Sequence, residues 1–539
     1  MVHPVRDAVT RNAVARNAVT RNAVTRARAG TDRESEGRAL TVDRLNELLL
    51  GFSLVLLVAV AAVRLTSRSG LPSLLLYLAI GVALGKDGLG IEFHDVELTQ
   101  VLGYAALVVI LAEGGLGTRW HDVRPALSTA AVLATVGVAV SVGVTALATH
   151  YLVGLSWQAA LIMGAVVSST DAAAVFSVLR RVPLPRRLTG ALEAESGFND
   201  APVVILVVAF SEHYGESGWH VLLLEMVFEL AVGLAVGLLV GRLGVLALRG
   251  IALPASGLYP IAVIAFAVLA YAAAALLHGS GFLAVYLASL VLGNAALPHR
   301  PATRGFADAV AWVAQIGLFV LLGLLVDPDA LWDDVGPALI IGGVLTFLAR
   351  PLSVVLCLTP FRRPWREQAL LSWAGLRGAV PIVLAIIPVV AHAPDSDRIF
   401  SIVFVLVVVY TLAQGPTLPW LARRLRVGEG EKTVDVDIES APLERLRGHL
   451  LSVSIPTASR MHGVEIAELR LPPQAAVTLV VRDGASFVPG PTTVLRRGDE
   501  LLVVTTDEVR EAVERRLVAV GRGGKLAGWL HPERGPSPA

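Results

Sequence analysis

Apolar runs of about 20 residues recur along this chain from about Asn46 to Trp420, and nothing else constrains its fold as strongly. That is roughly the length a helix needs to cross a ~30 Å hydrocarbon layer. The runs lack the alternation of a barrel strand, and backbone groups in lipid must be satisfied within a helix or a closed barrel, so a multi-span helical bundle follows. Composition agrees: 55% of the 539 residues are hydrophobic, 17% are charged, and the mean hydropathy is +0.67.

Window by window, spans are expected at about 46–64, 71–85, 99–116, 127–149, 158–179, 188–210, 220–248, 258–277, 281–293, 309–326, 334–358, 366–391 and 398–421, about thirteen in all. The pieces at 71–85 and 281–293 are short enough to be broken or tilted segments. One set of loops is basic, with "TRWHDVRP", "RRVPLPRR", "PHRPATR" and "PFRRPWRE", and the positive-inside rule makes it cytoplasmic. The alternating set, with "KDGLGIEFHDVE", "SEHYGESG" and "VDPDALWDDVG", is neutral to acidic and faces outward. An odd number of spans then leaves the carboxyl end in the cytoplasm.

Residues 1–44 read differently, as a near-repeat rich in arginine, "RDAVTRNAVARNAVTRNAVTRARAG". It lacks the apolar core of a signal peptide and is expected to be a disordered extension, the product of an upstream start site. The membrane domain spans 45–425, a polar linker 426–444, and a small α+β cytoplasmic domain 445–520, followed by a disordered tail at 521–539. Strands are expected at "HLLSVSIP", "AAVTLVVRDG" and "DELLVVTT", and a helix at "DEVREAVERRLVAVG". A net charge of +1 predicts no nucleic-acid partner. Cys357 is the only cysteine, so no disulfide forms within the chain, and its apolar setting predicts a buried thiol.

Ionisable groups inside a membrane cost roughly 2.5–3.5 kcal/mol each on insertion scales and mark functional sites by default. The fifth span carries Thr170 and Asp171; the sixth carries Glu195, Ser196, Asn199 and Asp200; the eleventh carries Arg350 and the twelfth Arg377. Glu195 and Asn199 are four apart, as are Ser196 and Asp200, which places them on two neighbouring helical stripes. Pro202 leaves the carbonyl of Phe198 without its usual donor and free to turn toward a ligand.

Thr170, Asp171, Ser196 and Asp200 form an oxygen-rich set that suits a hard monovalent cation, and no Cys/His cluster suits zinc or copper. A carboxylate in low dielectric holds its proton more firmly, so proton and cation compete for it at cellular pH. Arg350 is the expected counter-charge of Glu195, and the two read as an internal salt bridge that fixes the bundle. Asn199 serves either as a ligand or as a bond between helices. Arg377 either lines a broken helix or reaches the cytoplasmic interface. Glu113 and His278 read as packing or interface residues, and His94, His121 and His213 lie in loops.

Together "STDAAAVFSVL", "LEAESGFNDAP", "FLARP" and "GLRGAVP" resemble the monovalent cation:proton antiporters of the NhaP/NHE branch over about 45–425. The resemblance implies a dimer, two inverted repeats, broken helices crossing at the fifth and twelfth spans, and elevator-like exchange. It makes Asp200 the carrier of proton and cation, with Thr170, Asp171 and Ser196 completing the site and Glu195 with Arg350 as the buried pair. Asn199 stands where the electrogenic branch has Asp, which implies electroneutral exchange. Ala172 departs from the family's Thr-Asp-Pro and puts the unwinding of the fifth span in question.

The segment from "SVSIPTASRMHGVEIAELRLPP" to "DELLVVTTDEVREAV", within 445–520, resembles the carboxyl-terminal subdomain of the regulator-of-K⁺-conductance family, without the GxGxxG half that would bind NAD. Such subdomains pair and bind small effectors, and their union with an antiporter core implies a bacterial plasma-membrane K⁺(Na⁺)/H⁺ antiporter with no cofactor, serving pH and ion homeostasis. Two readings of other classes stand beside it. A regulated monovalent cation channel fits the cytoplasmic module but lacks a TVGYG-type filter; an intramembrane hydrolase using Ser196 lacks a nearby His.

Overall fold

The computed structural model describes residues 42–69, 73–86, 88–91, 93, 95–179, 184–212, 214–215, 218–427, 437–443, 448–456, 459–506 and 508–526. The arginine-rich extension up to residue 41, the tail from residue 527, His94 and His213 lie outside the described residues. The chain divides into a first unit ending at Leu65 and a second beginning at Thr66. The first carries most of α1 (Val42–Ser69), a helix with an apolar stretch over Leu49–Val63.

The second unit begins with α2 (Ser73–Leu84), α3 (Val96–Gly117) and α4, a continuous helical run over Trp120–Val153. The fifth span is broken into α5 (Trp157–Val166) and α6 (Ala172–Leu179). Then come α7 (Arg186–Glu212), α8 (Trp219–Gly250), α9 (Leu258–Leu276), α10 (Gly281–Asn294) and α11 (Arg300–Leu325). A second long run, α12 (Trp332–Phe361), precedes another broken span, α13 (Trp365–Trp373), α14 (Ala379–Leu384) and α15 (Ile386–Val390), and the bundle closes with α16 (Ser396–Arg424).

Among the described residues eight helices are long and apolar enough to cross a membrane, and five shorter apolar ones accompany them. The short pieces expected at 71–85 and 281–293 are unbroken helices, α2 and α10. The order of α4, α5–α6 and α7 recurs as α12, α13–α15 and α16. Both α4 and α12 carry a π-bulge, at Leu133–Gly137 and Leu345–Ala349, and the second ends immediately before Arg350. A π-bulge shifts the side chains that follow it around the helix and is common at functional sites.

Close helix contacts use small residues, as expected where lipid offers no hydrophobic drive for association. A Cβ on Gly237 of α8 would lie 2.7 Å from the Ala284 carbonyl oxygen of α10. Cys357 is buried, its sulfur 3.7 Å from the Val132 carbonyl.

The C-terminal domain is a five-stranded antiparallel sheet in the order β1-β2-β5-β3-β4, with β1 (Asp437–Leu443), β2 (Gly448–Ser454), β3 (Ala475–Arg482), β4 (Ala485–Phe487) and β5 (Glu500–Thr506). Part of the segment read as linker, 426–444, is therefore strand: β1 pairs along β2 from Asp437↔Ser454 to Leu443↔Gly448. Its sequence, DIESAPL, lacks the apolar alternation by which the other strands are read. Helix α17 (Arg510–Gly523) lays Val513, Leu517 and Val520 on Leu451, Val453, Leu501 and Val503. That i, i+4, i+7 stripe meets the alternate, inward-facing residues of two neighbouring strands, β2 and β5.

Asp499 anchors the turn before β5. It accepts from Arg482 at 2.8 and 2.7 Å and from the Arg496 N–H at 2.7 Å. Burial pushes its carboxyl up, but these bonds and the two arginine charges outweigh burial and hold it below the ordinary aspartate range. The pair's contribution is thus complete above the unfolded-state value of about 3.9 and is lost as the pH falls through the lower folded-state value. Arg482→Met leaves this carboxylate unpaired and is expected to destabilise the domain at pH 7 by about 2–3 kcal/mol, less than a fully buried pair because Arg482 is partly exposed. Urea-dependent proteolysis of the domain within the full-length protein measures this, and a change below about 0.5 kcal/mol would rule the anchor out.

Candidate functional site

The two breaks cross, and the polar residues of the membrane domain gather around the crossing. In the fifth span hydroxyl side chains compete with helical bonding: Ser168 Oγ donates to the Gly164 carbonyl at 2.6 Å. The helix resumes at Ala172 with Asp171 as its cap, Asp171 Oδ1 accepting from the Ala174 N–H at 3.1 Å. Ala172 thus does not prevent the unwinding, because the Asp171 side chain supplies the start signal that proline supplies by its fixed φ.

In the twelfth span the helix stops at Trp373, and residues 374–378 run without helical structure past Gly375, Arg377 and Gly378. A Cβ on Gly378 would lie 1.7 Å from Asp171 Oδ2, so this close approach requires glycine. The breaks bond directly. The Asp171 N–H donates to the Leu376 carbonyl at 3.0 Å, and Arg377 Nη1 donates to the carbonyls of Ser168, at 3.1 Å, and Ser169. The Arg377 carbonyl in turn accepts from Thr411 Oγ1 of α16 at 3.0 Å. Arg377 is buried and lines the break instead of reaching the interface. Charge placement follows the helix dipoles, with Asp171 at the N-terminus of α6 and Arg377 beyond the C-terminus of α5.

Helix α7 is continuous through Pro202, so the unwound backbone belongs to the fifth and twelfth spans and not to the sixth. Its stripes diverge. Glu195 forms a two-pronged ion pair with Arg350 of α12, through Nη1–Oε1 and through Nη2–Oε2 at 2.9 Å, both side chains being almost fully buried. Asn199 Nδ2 donates to Thr170 Oγ1 at 2.7 Å. Asp200 Oδ1 accepts from Ser169 Oγ at 2.6 Å, and no ion pair reaches it among the described residues.

A cavity of about 430 Å³ is lined by Thr170, Asp171, Ser196 and Asp200, and also by Glu113 of α3, Glu193 of α7, Tyr286 of α10 and Asp308 of α11. The structure therefore gathers Thr170, Asp171, Ser196 and Asp200 around one space and turns Glu195 and Arg350 away from it. Ser169, Glu193 and Asp308 were not singled out from the sequence, and Glu113 was read as packing. Glu193 had a signal: it lies three and seven residues before Ser196 and Asp200, on one helical stripe. Ser169 adjoins Thr170 but gives no sign in sequence of its bond to Asp200.

Crossing broken helices around a carboxylate-lined cavity define a secondary transporter of the kind built from repeats with unwound spans. The comparisons with known proteins give the family. The sodium/hydrogen exchanger transmembrane family matches residues 53–424, and the TrkA-C domain matches residues 450–518. The chain belongs to the sodium/hydrogen exchanger family, and it is a cation/proton antiporter, not an enzyme.

A K⁺/H⁺ antiporter NhaP from Alkalimonas amylolytica is 38% identical over 473 residues, covering 86% of this chain and 82% of that protein. A K⁺/H⁺ antiporter NhaP2 from Shewanella oneidensis is 34% identical over 481 residues, covering 88% and 84%. The fold is also that of the sodium proton antiporter MjNhaP1 from Methanocaldococcus jannaschii at pH 8, with a TM-score of 0.63 and 22% identity over 71% of this chain and 99% of that one. The channel reading finds no support among these proteins, and none of them indicates a cofactor.

Removing one member of a fully buried ion pair leaves an uncompensated charge, whereas replacing both with apolar residues is often neutral. Arg350→Met is therefore expected to destabilise the membrane domain by about 3–5 kcal/mol, and Glu195→Met with Arg350→Met to restore most of the loss. Melting of the detergent-solubilised variants checks this, and equal melting of single and double variants would overturn the structural role of the pair.

Proposed function

We propose that this protein exchanges a cytoplasmic monovalent cation, K⁺ in preference to Na⁺, for external protons, with Asp200 as the carboxylate the two share. The observation that carries this is the meeting of Asp171, Asp200, Thr170 and Ser196 on one cavity at the crossing of two unwound spans. The preference for K⁺ rests on the relatives, which are named K⁺/H⁺ antiporters.

The buried charges support a one-for-one exchange. Arg350 balances Glu195, and Arg377, donating at the end of α5, balances Asp171 at the start of α6. Asp200, which bonds Ser169 and has no ion pair among the described residues, has its charge met either by a proton or by the transported cation. A cation arriving from the cavity binds as the Asp200 proton leaves to water, and both loaded states carry the same net charge. Asn199, neutral and bonded to Thr170, adds no second exchangeable charge. Movement between inward-open and outward-open states then carries either occupant, in an elevator-like step.

The remaining assignments belong to the same proposal. The protein is a homodimer in a bacterial plasma membrane, its basic loops and C-terminal domain are cytoplasmic, and the domain over 445–520 takes a small effector that sets activity.

Asp200→Asn is expected to abolish cation-dependent ΔpH changes in proteoliposomes across pH 6–9, and unchanged exchange would reject Asp200 as the carrier. Deleting residues 430–539 is expected to shift the pH and cation dependence of exchange while leaving the Asp200-dependent activity in place. An identical profile with and without the domain would remove its regulatory role.

A further inference from the structure

Asp200 offers two oxygens, and the structure commits one of them. Oδ1 takes the Ser169 hydroxyl at 2.6 Å, a short, charge-assisted bond in a site where Ser169 is wholly buried and Asp200 nearly so. Ser169 has little freedom to withdraw. Its own carbonyl is held by Arg377 from the other break, as is the carbonyl of Ser168 beside it. On its other side Thr170 is held by Asn199 at 2.7 Å. A serine hydroxyl has one proton, and here it is directed at the carboxylate.

Two consequences follow for whatever binds at the cavity. An aspartate carboxyl torsion is broad and two-fold, so a bond at Oδ1 selects one orientation and leaves Oδ2 for the cation. The hydroxyl also draws part of the carboxylate's charge density toward itself and weakens the field at Oδ2. Field strength and ligand number are the quantities by which a site sorts alkali cations. A strong anionic field recovers the high dehydration cost of a small ion such as Li⁺ or Na⁺. A weakened one recovers only the lower cost of a larger ion.

We propose that Ser169 is a specificity-determining residue: by bonding Asp200 Oδ1 it sets a weak field at the remaining oxygen and so favours K⁺ over Na⁺ and Li⁺. It acts through Asp200 and is a positioning residue. The inference rests on the reading of Asp200 as the shared carboxylate and adds to it the origin of ion preference.

The experiment uses the full-length protein in proteoliposomes, at a pH alkaline enough that added protons no longer lower exchange, with K⁺, Na⁺ and Li⁺ each titrated. Ser169→Ala is expected to lower KM for Na⁺ and Li⁺ relative to K⁺, shifting the KM ratio about three- to tenfold toward the small ions. This shift is a fraction of the worth of one hydrogen bond to a charged group. Ser169→Thr keeps the hydroxyl and is expected to retain the wild-type ratio. Should its extra methyl group prevent folding, Ser169→Cys, a weaker donor of similar size, is expected to give an intermediate ratio.

A common factor on all three KM values, or a fall in rate alone, would overturn the inference, because loss of a purely structural contact does not sort ions by size. Asp200→Asn run in parallel separates the two failures. If it still exchanges cations, the carrier reading fails; if it is inactive while Ser169→Ala keeps the wild-type ratio, only the role of Ser169 fails.

Discussion

Two stretches of unwound backbone cross within the membrane domain, and each supplies the partners the other lacks. In hydrocarbon no water can satisfy a free N–H or C=O, so irregular backbone persists there only when protein groups complete it. The Asp171 N–H finds the Leu376 carbonyl, and Arg377 takes the carbonyls of Ser168 and Ser169. Thr411 of α16 completes the set at the Arg377 carbonyl. The crossing is a mutual dependence: straightening either span would strand the polar groups of the other. Every residue assigned to ion exchange is placed relative to it.

The same crossing sorts the buried charges. Asp171 lies where a helix begins and Arg377 where one ends, so the half-helix dipoles favour both charges where they are. Glu195 and Arg350 close a separate pair that joins α7 to α12 just after a π-bulge. Asp200 holds the Ser169 hydroxyl and has no ion pair among the described residues. A carboxylate left in this condition, on a cavity and without a fixed cation, is suited to an occupant that comes and goes. Glu195, which is paired, and Asp200, which has no ion pair among the described residues, lie five positions apart on one helix.

The hydropathy of the chain marked nearly every span to within a few residues, as at 220–248 against the observed Trp219–Gly250. It passed over the interruptions at 167–171 and 374–378, since the serines, glycines and alanines there keep the window apolar enough to read as helix. Arg377 among its glycines offered a broken helix as one of two readings, and the motif resemblance implied both breaks. Strand β1 was hidden for a different reason. Its residues carry no alternating apolar signal, and a ladder of backbone bonds can form without one.

By itself the sequence determined that the chain is a bundle of membrane helices with a small sheet domain after it. It also determined which residues are polar at membrane depth and which of them share a stripe on α7. Spacing places side chains on a face but says nothing of what that face meets, and here the tertiary structure decided. It turned Glu195 toward Arg350, Asn199 toward Thr170 and Asp200 toward Ser169, and it brought Glu193 and Asp308 to the same cavity wall. The physical reason is that a polar group in a low-dielectric interior is stable only beside its partner, and these partners lie 29 to 155 residues apart in the chain. Helix packing, which brings such distant segments together, is written across the whole sequence and in no one motif.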